Sequence, residues 1–100
     1  MKIIWSPTAK NRLIEILDHI SQVNSAAAID LIDSIEKSVD KLAQNPMMGR
    51  IIPELDSVHI REIVIHENYG VIYEIKEGTL EVLTVRHFRK SFTGTEFKDS

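Results

Sequence analysis

The sequence predicts an α+β domain, and two observations carry that expectation. The first half repeats apolar residues at helical spacing in two adjoining stretches. From about residue 59 the apolar period drops to two, and short polar breaks cut the remainder into strands. The expected order is β-α-α-β-β-β: an N-terminal strand, an αα-hairpin, then a three-stranded antiparallel sheet with both helices on one of its faces.

Residues 1–5, MKIIW, are β-branched and aromatic and read as the first strand. Ser6-Pro7 reads as a helix start, since serine caps an orphan N–H and proline suits the first helical position. Ala9, Leu13, Ile16, Leu17, Ile20 and Val23 form one face of that helix, which is expected to end near Val23. Ser25 is the expected cap of a second helix with the stripe Ala28, Ile32, Ile35, Val39 and Leu42, stopped by Asn45-Pro46. Residues 45–57 hold two prolines and a glycine and read as an irregular connection. Strands follow at 59–65, around 71–75 and at 79–87. They are separated by a turn at 66–69 and a hairpin at Glu77-Gly78, where glycine supplies positive φ.

Residues 1–91 form one domain on this reading, and the polar stretch 92–100 is a tail in which Phe92 and Phe97 are candidates to dock. With 100 residues, 43% of them hydrophobic, the chain has enough for one core. The absence of cysteine fits a reducing cytoplasm, and no apolar run approaches the roughly 20 residues of a membrane span. A net charge of −3 argues mildly against a nucleic-acid binder, which usually carries a basic surplus. One segment runs against that trend: Arg86, His87, Arg89 and Lys90 crowd the end of the last strand.

No phosphate-binding glycine loop, nucleophile elbow or metal-ligand spacing is present, so neither cofactor nor metal is expected. His19 reads as a surface residue, and Asp30, Asp33, Glu36 and Asp40 as a solvated helix face. Trp5 and Tyr73 read as packing aromatics. Arg61, Glu62, His66, Tyr69, Arg86, His87, Arg89 and Lys90 remain as a polar set on the strands. Arginine forks fit phosphates and carboxylates alike, and histidine moves protons near neutral pH. The set is therefore compatible with phosphorane stabilisation in metal-free RNA cleavage, with receipt of an acidic protein segment, or with a charged, solubilising strand edge.

In order along the chain, WSPTA, AAAIDLIDSIEKSVDKLAQNPMMGR, HIREIVIHENYGVIYEI and LEVLTVRH resemble the RelE/ParE superfamily of toxins from bacterial type II toxin–antitoxin systems, from about Lys2 to Lys90. The resemblance implies a helical hairpin on a curled antiparallel sheet, a cognate antitoxin as partner, and one of two activities. ParE-like members bind and poison DNA gyrase; RelE-like members cut mRNA on the ribosome without a metal. The stretch Pro46-Met47-Met48-Gly49-Arg50 resembles a connection common in the ParE-like branch. Gly70 stands where the ribonuclease branch usually has an arginine on the scissile phosphate, and ParE-like proteins often have one there too. The resemblance thus favours a gyrase-binding, non-enzymatic toxin. Its partner-binding residues would be Arg61, Tyr69, Arg86, His87, Arg89 and Lys90. The alternatives are a ribosome-dependent endonuclease using Arg61, Arg86 and His87, and a non-toxic member that only binds antitoxin.

Overall fold

The computed structural model describes residues 1–88. Two helices lie against a five-stranded mixed sheet: β1 (Lys2–Trp5), α1 (Pro7–Ser21), α2 (Ser25–Gln44), β2 (Arg50–Ile51), β3 (Ile60–Ile65), β4 (Tyr69–Lys76) and β5 (Thr79–His87), in sheet order β1-β5-β4-β3-β2. The three antiparallel strands expected from the alternation form the centre. The expected three-stranded sheet is nevertheless too small. β1 joins it parallel to β5, with Ile3 opposite Leu80, and Arg50–Ile51 adds the fifth strand opposite Arg61 and Glu62. That last pair lies in the stretch expected to be irregular; two residues give no period to read.

The start of α1 ties the helices to the sheet. The Ser6 hydroxyl accepts from the Ala9 N–H (3.0 Å) and donates to the Leu83 carbonyl (2.9 Å), while the Ser6 N–H donates to the Val82 carbonyl (3.0 Å). Leu83 is the extra residue of a β-bulge: Ile72 pairs with Thr84 and Tyr73 with Val82, so Leu83 has no partner of its own in β4. A bulge shifts the side-chain alternation by one. Leu80 and Val82 before it, and Val85 after it, all reach the core, and Arg86 is sent to the face away from the helices.

Two helix details differ from expectation. The cap of α2 is Asn24, whose side chain accepts from the Ala27 N–H (3.1 Å), with Ser25 already inside the helix. Leu31, not Ile32, is the buried member of the α2 stripe, and α1 stops at Ser21, leaving Val23 exposed. The core joins Leu31, Ile35, Val39 and Leu42 of α2 to Ile63, Ile65, Val71, Tyr73, Leu80, Val82 and Val85 of the sheet. The two tight turns use different residues. Gly78 takes positive φ (77°) as expected, whereas the β3–β4 turn places His66 (51°) and Glu67 (63°) there with no glycine. The His66 ring meets the Ser34 hydroxyl of α2 at 2.9 Å and fastens this turn to the helix layer.

Candidate functional site: a buried glutamate between two arginines

Among the described residues one charged side chain is buried, Glu62 at 1% exposure. β3 alternates, so Arg61, Ile63 and Ile65 face the helices and Glu62 faces away. There its carboxylate is held from both sides. Arg86 donates through Nε to Oε2 (2.7 Å) and through Nη2 to Oε1 (2.9 Å), a two-pronged contact. Arg50, directly opposite Glu62 in β2, donates through Nη2 (2.8 Å) and Nε (3.3 Å) to Oε1. The Phe88 ring covers the cluster, with the Arg86 guanidinium 5.1 Å and the Arg50 guanidinium 5.8 Å from its centroid. Two cations and one anion leave the group with a single net positive charge.

Gly70 makes the arrangement possible. It lies opposite Arg86 in β5 and Val64 in β3, in an extended strand, so its role is spatial and owes nothing to conformational freedom. A Cβ there would collide with Glu62 Oε2 and approach Glu62 Cδ and Phe88 Cζ to 2.8 Å each. The space a side chain at this position would need is filled by the carboxylate and the ring. From sequence, Gly70 reads as a missing cation; in the structure it is the floor beneath an ion cluster.

Arg50 is aimed by the connection that precedes it. The buried Tyr73 hydroxyl donates to the Pro46 carbonyl (2.6 Å) and accepts from the Gly49 N–H (2.9 Å). Burial pushes the Tyr73 pKa up, opposed by the Gly49 N–H bond and the nearby Arg61 charge, which keeps the phenol a neutral donor. A Cβ on Gly49 would lie 2.5 Å from that hydroxyl, so glycine is required for the close approach. Arg61 clamps the same segment, donating through Nη1 to the Gly49 (2.9 Å) and Met47 (3.3 Å) carbonyls and through Nε to the Val58 carbonyl (3.1 Å).

The structure therefore divides the residues singled out from sequence. Arg86 belongs to the Glu62 cluster. Arg61 is on the opposite face, engaged with backbone carbonyls. Tyr69 and His87 are cross-strand neighbours on the helix side, with ring centroids 4.8 Å apart. Arg89 and Lys90, with the tail, lie outside the described residues. Arg50 was no candidate from sequence. Its position twelve residues before Glu62 becomes meaningful only when β2 pairs with β3; the signal that pointed toward it is the Pro46–Arg50 stretch. No group of three or more metal-ligating side chains occurs among the described residues, and no helix there is long and apolar enough to cross a membrane. A second feature is the shallow apolar groove where α1 and α2 meet, lined by Ile14, Leu17, Ala28, Ile29 and Ile32.

Comparison with known proteins identifies the fold and the family. A solved structure described as the chromosomal ParDE toxin–antitoxin system from P. aeruginosa superposes with a TM-score of 0.71 at 20% identity, over 87% of this chain and 95% of that one, which shows a shared fold. Toxin RelE2 of Caulobacter vibrioides is 28% identical over 86 residues, covering 86% of this chain and 93% of its own. A family model described as the ParE toxin of the type II toxin–antitoxin system parDE matches residues 3–92. The chain belongs to the ParE toxin family of type II toxin–antitoxin systems.

Proposed function

We propose that this toxin acts by binding a protein, DNA gyrase, rather than by cleaving mRNA, and that a cognate antitoxin holds it inactive. The observation that carries the reading is how its candidate arginines are engaged. Metal-free cleavage needs a preorganised cation directed at the developing charge on phosphorus, and losing one such group typically costs about 100-fold or more in rate. Here Arg86 is paired to Glu62, Arg61 is bonded to three backbone carbonyls on the other face, and position 70 has no side chain. His87 is directed to the helix side with Tyr69, away from Arg86. Arg61, Arg86 and His87 thus do not converge on a point where one phosphate could sit.

Binding a protein asks less of these groups. The exposed part of Arg50, the Phe88 ring and the outward-facing Val64 make a mixed basic and apolar surface of the kind that anchors protein interfaces. An antitoxin with an acidic, partly disordered segment matches that surface in charge, and a second, apolar part of the same chain would cover the groove between α1 and α2. The test is supercoiling of relaxed plasmid by gyrase with purified toxin, with and without its antitoxin. Dose-dependent inhibition or trapped cleaved DNA, reversed by antitoxin, is expected. Unimpaired supercoiling together with cleavage of ribosome-bound mRNA would replace this reading with the endonuclease.

A further inference from the structure

Glu62 sits where an external anion would bind. Two guanidiniums converge on one point from β2 and β5, on either side of the β3–β4 pair, one of them in the two-pronged geometry that arginine uses for phosphates as readily as for carboxylates. An aromatic ring closes the third side, and the missing side chain at Gly70 opens the floor. Nη1 of each arginine takes no part in the cluster, and the Arg50 side chain is 60% exposed. The frame is that of an anion site, and the chain's own carboxylate occupies it.

We propose that Glu62 is the specificity-determining residue of this face: by filling the seat between Arg50 and Arg86 it keeps the phosphates of nucleic-acid backbones out. The argument is independent of the toxin's target. With Glu62 in place the cluster carries one net positive charge, and a phosphate entering the seat must displace a carboxylate that already engages Nε and Nη2 of both arginines. Without that charge the same residues present two positive charges around a seat held only by a neutral side chain, which a phosphate can displace. Gly70 is the second part of the device, because any side chain there would push Glu62 out of the seat.

The experiment is Glu62→Gln, which keeps the shape of the side chain and removes its charge. Binding of a fluorescent single-stranded RNA oligonucleotide at low salt is read by anisotropy in the parent, in E62Q and in E62Q/R86A. E62Q should bind about tenfold or more tighter than the parent, with a steeper loss on adding salt, as expected for one or two added phosphate contacts. The double variant should return to the parent's level. Equal binding by parent and folded E62Q, or a gain that survives Arg86→Ala, overturns the proposal. A second measurement needs no variant. The Arg86 Nε–H resonance of the unmodified protein is followed by NMR while inorganic phosphate is added. It should stay put, and movement showing that phosphate displaces the carboxylate would equally overturn the proposal.

Discussion

Arg61 and Glu62 stand side by side in β3, yet the pleat sends them to opposite faces, and the two faces use their polar groups differently. On the helix side, Arg61 and Tyr73 hold the backbone of the 46–50 connection: the bonds are to carbonyls and an N–H, and their purpose is to fix a path. On the other side, the side-chain hydrogen bonds of Glu62, Arg50 and Arg86 among the described residues are to each other. The first set serves the second, because the path it fixes delivers Arg50 to Glu62. A charged residue on a strand thus tells little by its type. Arg61 and Arg86 fall together in a list of basic candidates, and one is an internal brace while the other is one of the two cations of an ion cluster.

The largest expected effect comes from breaking the second face at its floor. Gly70→Arg installs the residue that the RelE/ParE resemblance leads one to expect, and it should destabilise the fold. Its Cβ already meets the Glu62 carboxylate and the Phe88 ring, so both must leave and the cluster comes apart. Overpacking and breaking a buried ion group act together, and a loss of about 3 kcal/mol in urea unfolding is expected. A variant as stable as the parent would show that Glu62 has another well-ordered place to go, and that Gly70 is incidental.

Breaking the first face should cost less. Tyr73→Phe keeps the ring in the core but leaves the Gly49 N–H and the Pro46 carbonyl without their partner, a loss of about 2 kcal/mol. The same variant tests the pH behaviour. The Tyr73 pKa is raised from its ordinary 10.0, chiefly by burial, so the folded state holds the phenol proton more tightly than the unfolded chain. Its contribution is therefore complete below pH 10.0 and is lost as pH rises through the folded-state value. Unfolding free energy should decline above that pH in the parent and decline less in Y73F. Parallel profiles would mean that the phenol does not titrate differently in the two states.

Much of the fold is legible in the sequence because it is written in periods and caps. Pro7 and Ser6 mark the start of α1, the stripes mark both helices, and Glu77-Gly78 marks a hairpin. What escapes is whatever depends on a partner far along the chain. β2 is too short to show alternation. Asn24 and Ser25 are both competent caps, and only the backbone decides between them. The bulge at Leu83 is the most consequential case. An unbroken alternation through β5 would put Arg86 on the same face as Val82, and one unpaired residue moves it to the other. The cluster was legible only in parts: Glu62 and Arg86 as polar strand residues, Arg50 as the last letter of a connecting stretch, and Gly70 as an anomaly.

The smallest effect is expected at the turn that sets the register of β3 against β4, on which the placement of Glu62 beside Gly70 depends. The chain uses His66 and Glu67 in the left-handed region, where residues with a Cβ are disfavoured by roughly 1 kcal/mol each. His66 has a reason to stay, since its ring meets Ser34 and lies 3.6 Å from Asp30 on α2. Glu67 has no such bond among the described residues and is exposed, so Glu67→Gly relieves the backbone without removing a contact. Glycine also widens the unfolded ensemble, which takes back part of the gain. A net stabilisation of about 0.5 kcal/mol is expected, seen as a slightly higher urea midpoint with an unchanged slope. If the variant is instead destabilised, Glu67 holds the turn through a contact of its own, and the register beneath the Glu62 cluster is maintained from that side as well.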